Sequence, residues 1–154
     1  GRTGLVDVLA DTRYWCRRPC LIAPEELVKS IATYVVIRWT SGHEAASAIR
    51  QARGFLPFAD KVEVAMIADD EASAKAELAL PLAYLACHGI KAETRITIDK
   101  SKNAGDIILR DFADSGADLL VMGAYGHSRV REFIFGGATR QVLHEAKFPV
   151  FMAH

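Results

Sequence analysis

The sequence predicts an α/β fold, a five-stranded parallel sheet with helices on both faces. Three observations carry this reading. Short apolar runs rich in β-branched residues recur at Tyr34 to Trp39, Lys61 to Ile67 and Leu119 to Met122. Each is shorter than a helix and bounded by turn or acidic residues, as strands buried on both faces are. Longer segments with apolar residues at helical spacing separate these runs. Glycine or proline then closes the segments, at Pro57, Gly89 and Gly116, so strand and helix alternate along the chain.

Residues 1–28 stand apart from this alternation. Leu5, Val6, Leu9 and Tyr14 suggest a short helix, and Cys20 to Ala23 a strand that Pro24 stops. The main domain, residues 29–154, opens with the strand Tyr34 to Trp39. Thr40, Ser41 and Gly42 turn into a helix from His43 to Leu56, with Ala46, Ile49 and Ala52 on one face and Pro57 as its stop. The strand Lys61 to Ile67 exits through Asp69, Asp70 and Glu71. A helix over Ser73 to His88 follows; Pro81 is expected to kink or restart it, and Gly89 to cap it.

Lys91 to Ile98 sets charged residues Lys91, Glu93 and Arg95 against Ala92, Ile96 and Ile98. That rhythm predicts an edge strand with one wet face. Asn103 followed by Asp106 predicts a capping box, opening a helix with Ile107, Ile108 and Phe112 on its core stripe and Gly116 at its end. The strand Asp118 to Met122, a helix from Gly137 to Ala146 and a last strand, Pro149 to Ala153, complete the chain.

The totals narrow function. Nineteen basic and nineteen acidic residues give zero net charge, so no cationic excess advertises a nucleic-acid partner. No apolar run reaches the roughly 18 residues of a membrane span, and the expected setting is cytoplasmic. Cys16, Cys20 and Cys87 make no disulfide framework, and Cys16-x3-Cys20 lacks a second ligand pair with zinc spacing; no metal site is assigned. No nucleophile elbow, H-E-x-x-H, kinase set or paired carboxylates are present, and no catalytic residue is assigned.

The informative stretch is Gly123 to Thr139, between the last buried run and the last helix. Glycine at Gly123 and Gly126 lets backbone N–H groups turn outward without a Cβ in the way. Gly136 and Gly137 stand at a helix N-terminus, where unpaired N–H groups and about half a positive charge favour an anion. On spacing alone, a phosphate loop and a mere tight crossover are equally good readings, because this is neither G-x-x-x-x-G-K-[ST] nor G-x-G-x-x-G.

Gly123-x2-Gly126-x9-Gly136, with Gly137-Ala138-Thr139 after it, resembles the nucleotide loop of the universal stress protein family. The flanks Ala117 to Gly123 and Lys147 to Phe151 are similar too, and the likeness runs over about residues 30–154. The resemblance implies a Rossmann-like fold of the adenine nucleotide alpha-hydrolase type. It implies a site for ATP or a related adenine nucleotide, with or without Mg, at Thr40, Ile67, Met122, Gly123, Gly126, His127, Arg129, Gly136, Gly137, Ala138 and Thr139. It also implies antiparallel pairing through Pro149 to Ala153, either in a homodimer or against the strand Cys20 to Ala23. Residues 1–28 resemble the tail of a preceding domain of the same kind, so the chain reads as the second half of a tandem protein.

Three positions depart from the family's pattern. Thr40 stands where an aspartate holds the nucleoside; exchanging a charge-assisted bond for a neutral one costs about 1–1.5 kcal/mol, or tenfold in affinity. Gly137 stands where a hydroxyl is usual, although Thr139 keeps one in the first turn. Arg38 replaces a small apolar residue and could be a phosphate ligand, a plug in the base pocket, or one side of a salt bridge. His127, Ser128, Arg129 and Arg131 fall in the spacer, within reach of phosphate or simply solvated. A slow hydrolase would need an acid to hold metal, and Asp69 or Asp70 are the candidates. The leading expectation is a nucleotide-binding stress-response module; a decayed, non-binding interaction domain is the alternative.

Overall fold

The computed structural model describes residues 18–26, 28–124 and 137–154. In chain order the elements are β1 (Cys20–Ile22), β2 (Tyr34–Arg38), α1 (His43–Ala52), a 3₁₀ turn (Leu56–Phe58), β3 (Lys61–Ala68), α2 (Glu71–Cys87) and β4 (Glu93–Ile98). They continue as α3 (Ala104–Ser115), β5 (Leu119–Gly123), α4 (Gly137–Glu145) and β6 (Val150–Ala153). One sheet runs β1-β6-β5-β2-β3-β4. Its five main strands are parallel, and β1 joins β6 antiparallel, with Cys20 opposite Met152 and Ile22 opposite Val150. The expected α/β architecture is present, and the Cys20 strand occupies the edge of the last one. The helix expected within residues 5–14 lies outside the described residues.

Alternation along the strands sends side chains to two cores. On one face Val35, Ile37, Trp39, Val64 and Val121 pack with Ala45, Ala48 and Ile49 of α1 and Leu78 and Leu85 of α2. On the other, Val36, Leu120, Met122, Val150 and Met152 pack with Ile108 and Phe112 of α3 and Val142 and Leu143 of α4. Burying each such side chain is worth about 1.5–3 kcal/mol. Helices on both faces explain why β2 and β5 read as unbroken apolar runs.

Several local expectations are corrected. Helix α1 stops at Ala52 rather than Leu56, because Phe55 N–H bonds to the Ala52 carbonyl and the chain tightens into the 3₁₀ turn. Pro81 neither ends nor restarts α2, which runs from Glu71 to Cys87 with Pro81 on its buried side beside Leu78 and Leu85. The missing N–H withdraws one bond, and packing of the flanking residues carries the helix through. Asn103 caps α3 without a side-chain bond to its backbone, since its amide engages the Asp106 carboxylate instead. Gly116 ends α3 with φ of 77° and Gly89 follows α2 with φ of 71°, the left-handed geometry expected of a helix stop.

Strand β4 is the expected edge, but its wet face is misassigned by the sequence rhythm. Arg95 and Thr97 turn inward toward α3, and Ile98 is half exposed.

Candidate functional site

The sheet changes direction between β2 and β5. From β2 the chain proceeds outward to β3 and β4, and from β5 outward to β6. Loops leaving the carboxyl ends of β2 and β5 therefore diverge and leave a crevice at that point. Arg38 pairs with Met122 in the parallel register, so Thr40 and Gly123 both lie just beyond the last paired rung.

Gly123 is the close-approach position. A Cβ there would lie 2.5 Å from the Glu44 carbonyl carbon and 2.6 Å from the Ala45 nitrogen, so only glycine lets β5 seat against the first turn of α1. Ala124 continues the ladder by donating to the Ala153 carbonyl at 2.9 Å. Met122 is buried in the α3/α4 core, and Ile67, near the end of β3, packs against the same core. Thr40 is half-buried.

Gly137 is the first described residue of α4 and is exposed, with no atom of the described residues within 4 Å of where a Cβ would stand. Ala138 packs toward the core and Thr139 is buried. Thr139 is thus a packed residue of the first turn, while Gly137 holds the open position. Gly126, His127, Arg129 and Gly136, with Ser128 and Arg131, lie outside the described residues. Of the expected set the structure brings together Thr40, Met122 and Gly123 at the switch point, with Ile67 at the neighbouring strand end.

Arg38 dominates the space beneath the edge. It lies on the α3/α4 face, in a small cavity with Val36, Glu63, Ile67, Thr97 and Asp111 among its walls. Its Nη1 donates to the Trp39 carbonyl at 2.5 Å, and its Nε is sealed from solvent with no acceptor among the described residues. Desolvation pulls its pKa down to about 10, opposed only in part by the charge of Asp111. The salt bridge to a neighbouring acid is absent among the described residues. The free volume left, about 20 Å³, holds a single water and no more. An adenine ring therefore has no room below the edge beside this side chain.

Next to Arg38 runs a polar network that the strand patterns did not disclose. Glu63 is buried in β3; its Oε1 lies 2.8 Å from Arg95 Nε and its Oε2 accepts from the Tyr34 hydroxyl at 3.1 Å. Arg95 also donates to the Asp111 carbonyl at 3.1 Å, and Thr97 donates to the Asp111 carboxylate at 2.6 Å. Burial lowers the tendency of Arg95 to hold its proton, and the charge and hydrogen bond of Glu63 more than reverse that. The available signal was Glu63 itself, a lone acid between Val62 and Val64.

Of the acids proposed to hold metal, Asp70 accepts from Ser73 N–H at 2.9 Å as the cap of α2. Asp69 and Asp70 are exposed, and no cluster of three metal-ligating side chains occurs among the described residues. No described helix is long and apolar enough to cross a membrane.

Residues 44–154 match the profile of the Universal stress protein family. The chain belongs to that family. Universal stress protein Slr1230 of Synechocystis sp. is 28% identical over 136 residues, 86% of this chain and 46% of its own length. The chain thus spans about half of that relative. Among solved structures, a universal stress protein from Archaeoglobus fulgidus superposes with a TM-score of 0.71 at 16% identity, covering 89% of this chain and 51% of that one. A universal stress protein in complex with cAMP superposes with a TM-score of 0.66 at 21% identity, covering 81% and 98%. At these identities the solved structures speak for the fold.

Proposed function

We propose that this universal stress protein domain is a stress-response module that holds an adenine nucleotide, ATP or a relative, at the crevice between Thr40, Gly123 and Gly137. The observation that carries the reading is Gly123, whose missing Cβ lets the end of β5 meet the first turn of α1. That contact joins the loops after β2 and β5 at the switch point, where phosphate-binding amides converge in sheets of this type. The open first position of α4 at Gly137 supplies further N–H groups and the positive end of a helix dipole. The solved relative in complex with cAMP supports a nucleotide as the ligand class. Because Arg38 fills the space below the edge, the base rests above the strand ends.

Thermal denaturation with and without ATP and magnesium tests this. Ligand at a hundredfold excess over its Kd adds about 2.7 kcal/mol, on the order of 5–10 °C in Tm for a domain of this size. Gly126→Glu is expected to abolish the shift by placing a bulky anion in the loop. An unchanged Tm for the parent protein at millimolar nucleotide would refute the reading.

A second reading has its own observation. Strand β1 covers β6 in antiparallel register, so the edge through which the resemblance implies pairing is filled from within this chain, and the alternative to a nucleotide module is an interaction domain whose last strand is already capped.

A further inference from the structure

One acid at the crevice mouth has no part in the nucleotide reading so far. Glu44 lies in the first turn of α1, and its carbonyl carbon and Cβ would stand 2.5 and 2.8 Å from a Cβ added at Gly123. Its side chain is only 17% exposed. The carboxylate folds back over Gly42, where an added Cβ would lie 2.6 Å from Glu44 Oε2 and 3.7 Å from Thr40 Oγ1. A carboxylate oxygen and a hydroxyl thus stand within 4 Å of one point, beside the ends of β2 and β5. Among the described residues the carboxylate meets His43 Nδ1 at 3.5 Å, on an exposed ring, and accepts no hydrogen bond. An acceptor drawn partly out of water in this way is costly until donors reach it.

The chemistry of this pair decides which part of a ligand can lie against it. An ionised carboxylate only accepts, and the Thr40 hydroxyl both donates and accepts. A phosphate placed beside Glu44 would meet like charge. A metal ion would need further ligands, and no cluster of three metal-ligating side chains occurs among the described residues. A neutral group carrying two adjacent donors fits, because the two oxygens of one carboxylate can accept from both. The vicinal hydroxyls of a sugar are such a group. The start of α4 has the opposite preference, since the exposed Gly137 opens onto helix N–H groups that favour an anion. The crevice is therefore polarised, with an acceptor on α1 and an anion-favouring end on α4.

We infer that Glu44 is a specificity-determining residue of the crevice, its carboxylate accepting hydrogen bonds from the free 2′- and 3′-hydroxyls of a ribonucleotide, so that the site selects nucleotides with an intact sugar diol. The inference rests on the nucleotide reading above and adds an orientation to it. The sugar lies against Glu44 and Thr40, held by charge-assisted bonds, and the phosphates point away from Glu44 toward Gly137.

Isothermal titration of the full chain with ATP and with 2′,3′-dideoxy-ATP, both with magnesium, tests it, because the two ligands share base and phosphates and differ only in the diol. ATP is expected to bind about tenfold or more tightly than the dideoxy analogue, and in Glu44→Ala that ratio should fall to near one through weaker ATP binding. Should Glu44→Ala fail to fold, Glu44→Met keeps the side chain's length without an acceptor and gives the same comparison. Equal affinities in the parent protein overturn the inference and leave the nucleotide reading standing. A variant that binds neither ligand, or weakens both alike, also overturns it, since the side chain would then only shape the crevice. Binding of neither ligand to the parent protein defeats the nucleotide reading and this inference together.

Discussion

Gly137 shows how a single position tests the candidate site. It stands where a hydroxyl is expected by resemblance, and a Cβ added there would meet none of the described residues within 4 Å. Gly137→Ser should therefore fold normally and add one donor at the mouth of α4. A neutral hydrogen bond is worth about 0.5–1.5 kcal/mol, so nucleotide affinity should rise by roughly two- to tenfold. An affinity that stays flat in calorimetric titration would remove the N-terminus of α4 from the site. Glu63 tests the structure rather than the ligand. Its side chain is 6% exposed and that of its partner Arg95 31%, so Glu63→Gln leaves a half-buried cation without its nearest counter-charge, with only the weaker pull of Asp111 remaining. The expected loss is about 1–3 kcal/mol, below that of breaking a fully buried pair because water still reaches Arg95. Urea denaturation would show it as a lower midpoint at unchanged slope.

At the scale of elements, Asp118 ties the start of β5 to the start of β2. Its carboxylate accepts from Thr33 N–H at 3.0 and 3.1 Å and from Tyr34 N–H at 2.9 Å. Burial alone would raise its pKa, but the hydrogen bonds from Ser30, Tyr34 and Thr33 outweigh burial and hold the group below the usual carboxylate range. A carboxyl so depressed stabilises the fold above its unfolded pKa of about 3.9 and loses that contribution as pH falls through the lower folded value. Asp118→Asn should thus lower Tm at neutral pH, and its deficit against the parent should shrink below about pH 4. A deficit constant from pH 7 to pH 2.5 would show that the carboxylate is not the stabilising form. Asp118 was visible in the sequence only as the residue before an apolar run, because its partners are backbone groups some 85 positions away. The same limit applies to Arg95, where a charged residue in an alternating strand reads as solvated until Glu63 is brought across from β3. Strand and helix identities in β2, β3, α3 and β5 were legible because local periodicity already encodes burial on both faces. The restart expected at Pro81 does not occur because propensity is local, while the packing of Ala74, Leu78 and Leu85 that carries α2 is tertiary.

For the whole molecule the decisive feature is the pairing of β1 with β6, which extends five parallel strands by one antiparallel strand of three residues. Val150 to Ala153 are all buried, so β6 without β1 would present unpaired N–H and C=O groups beside an apolar strip, a template for another chain. Strand β1 supplies this cover from within the chain, although it is linked to the main domain only through residues 23–33, which carry no helix or strand among those described. The stability of the pairing then depends on effective concentration across that linker, which is high for a short tether. Deleting residues 1–28 should expose β6 and convert the protein to a dimer through two β6 strands, or to larger aggregates, as seen by sedimentation velocity. The intact chain should sediment with no contribution from this edge, and a truncated chain that stays monomeric and soluble at the same concentration would show that β6 needs no cover. The proposed site lies at the β2–β5 junction, two strands in from that edge, so nucleotide-dependent stabilisation should persist in the truncated form; its loss would mean that edge pairing and crevice are coupled through β6 and Ala124, whose N–H bonds to the Ala153 carbonyl.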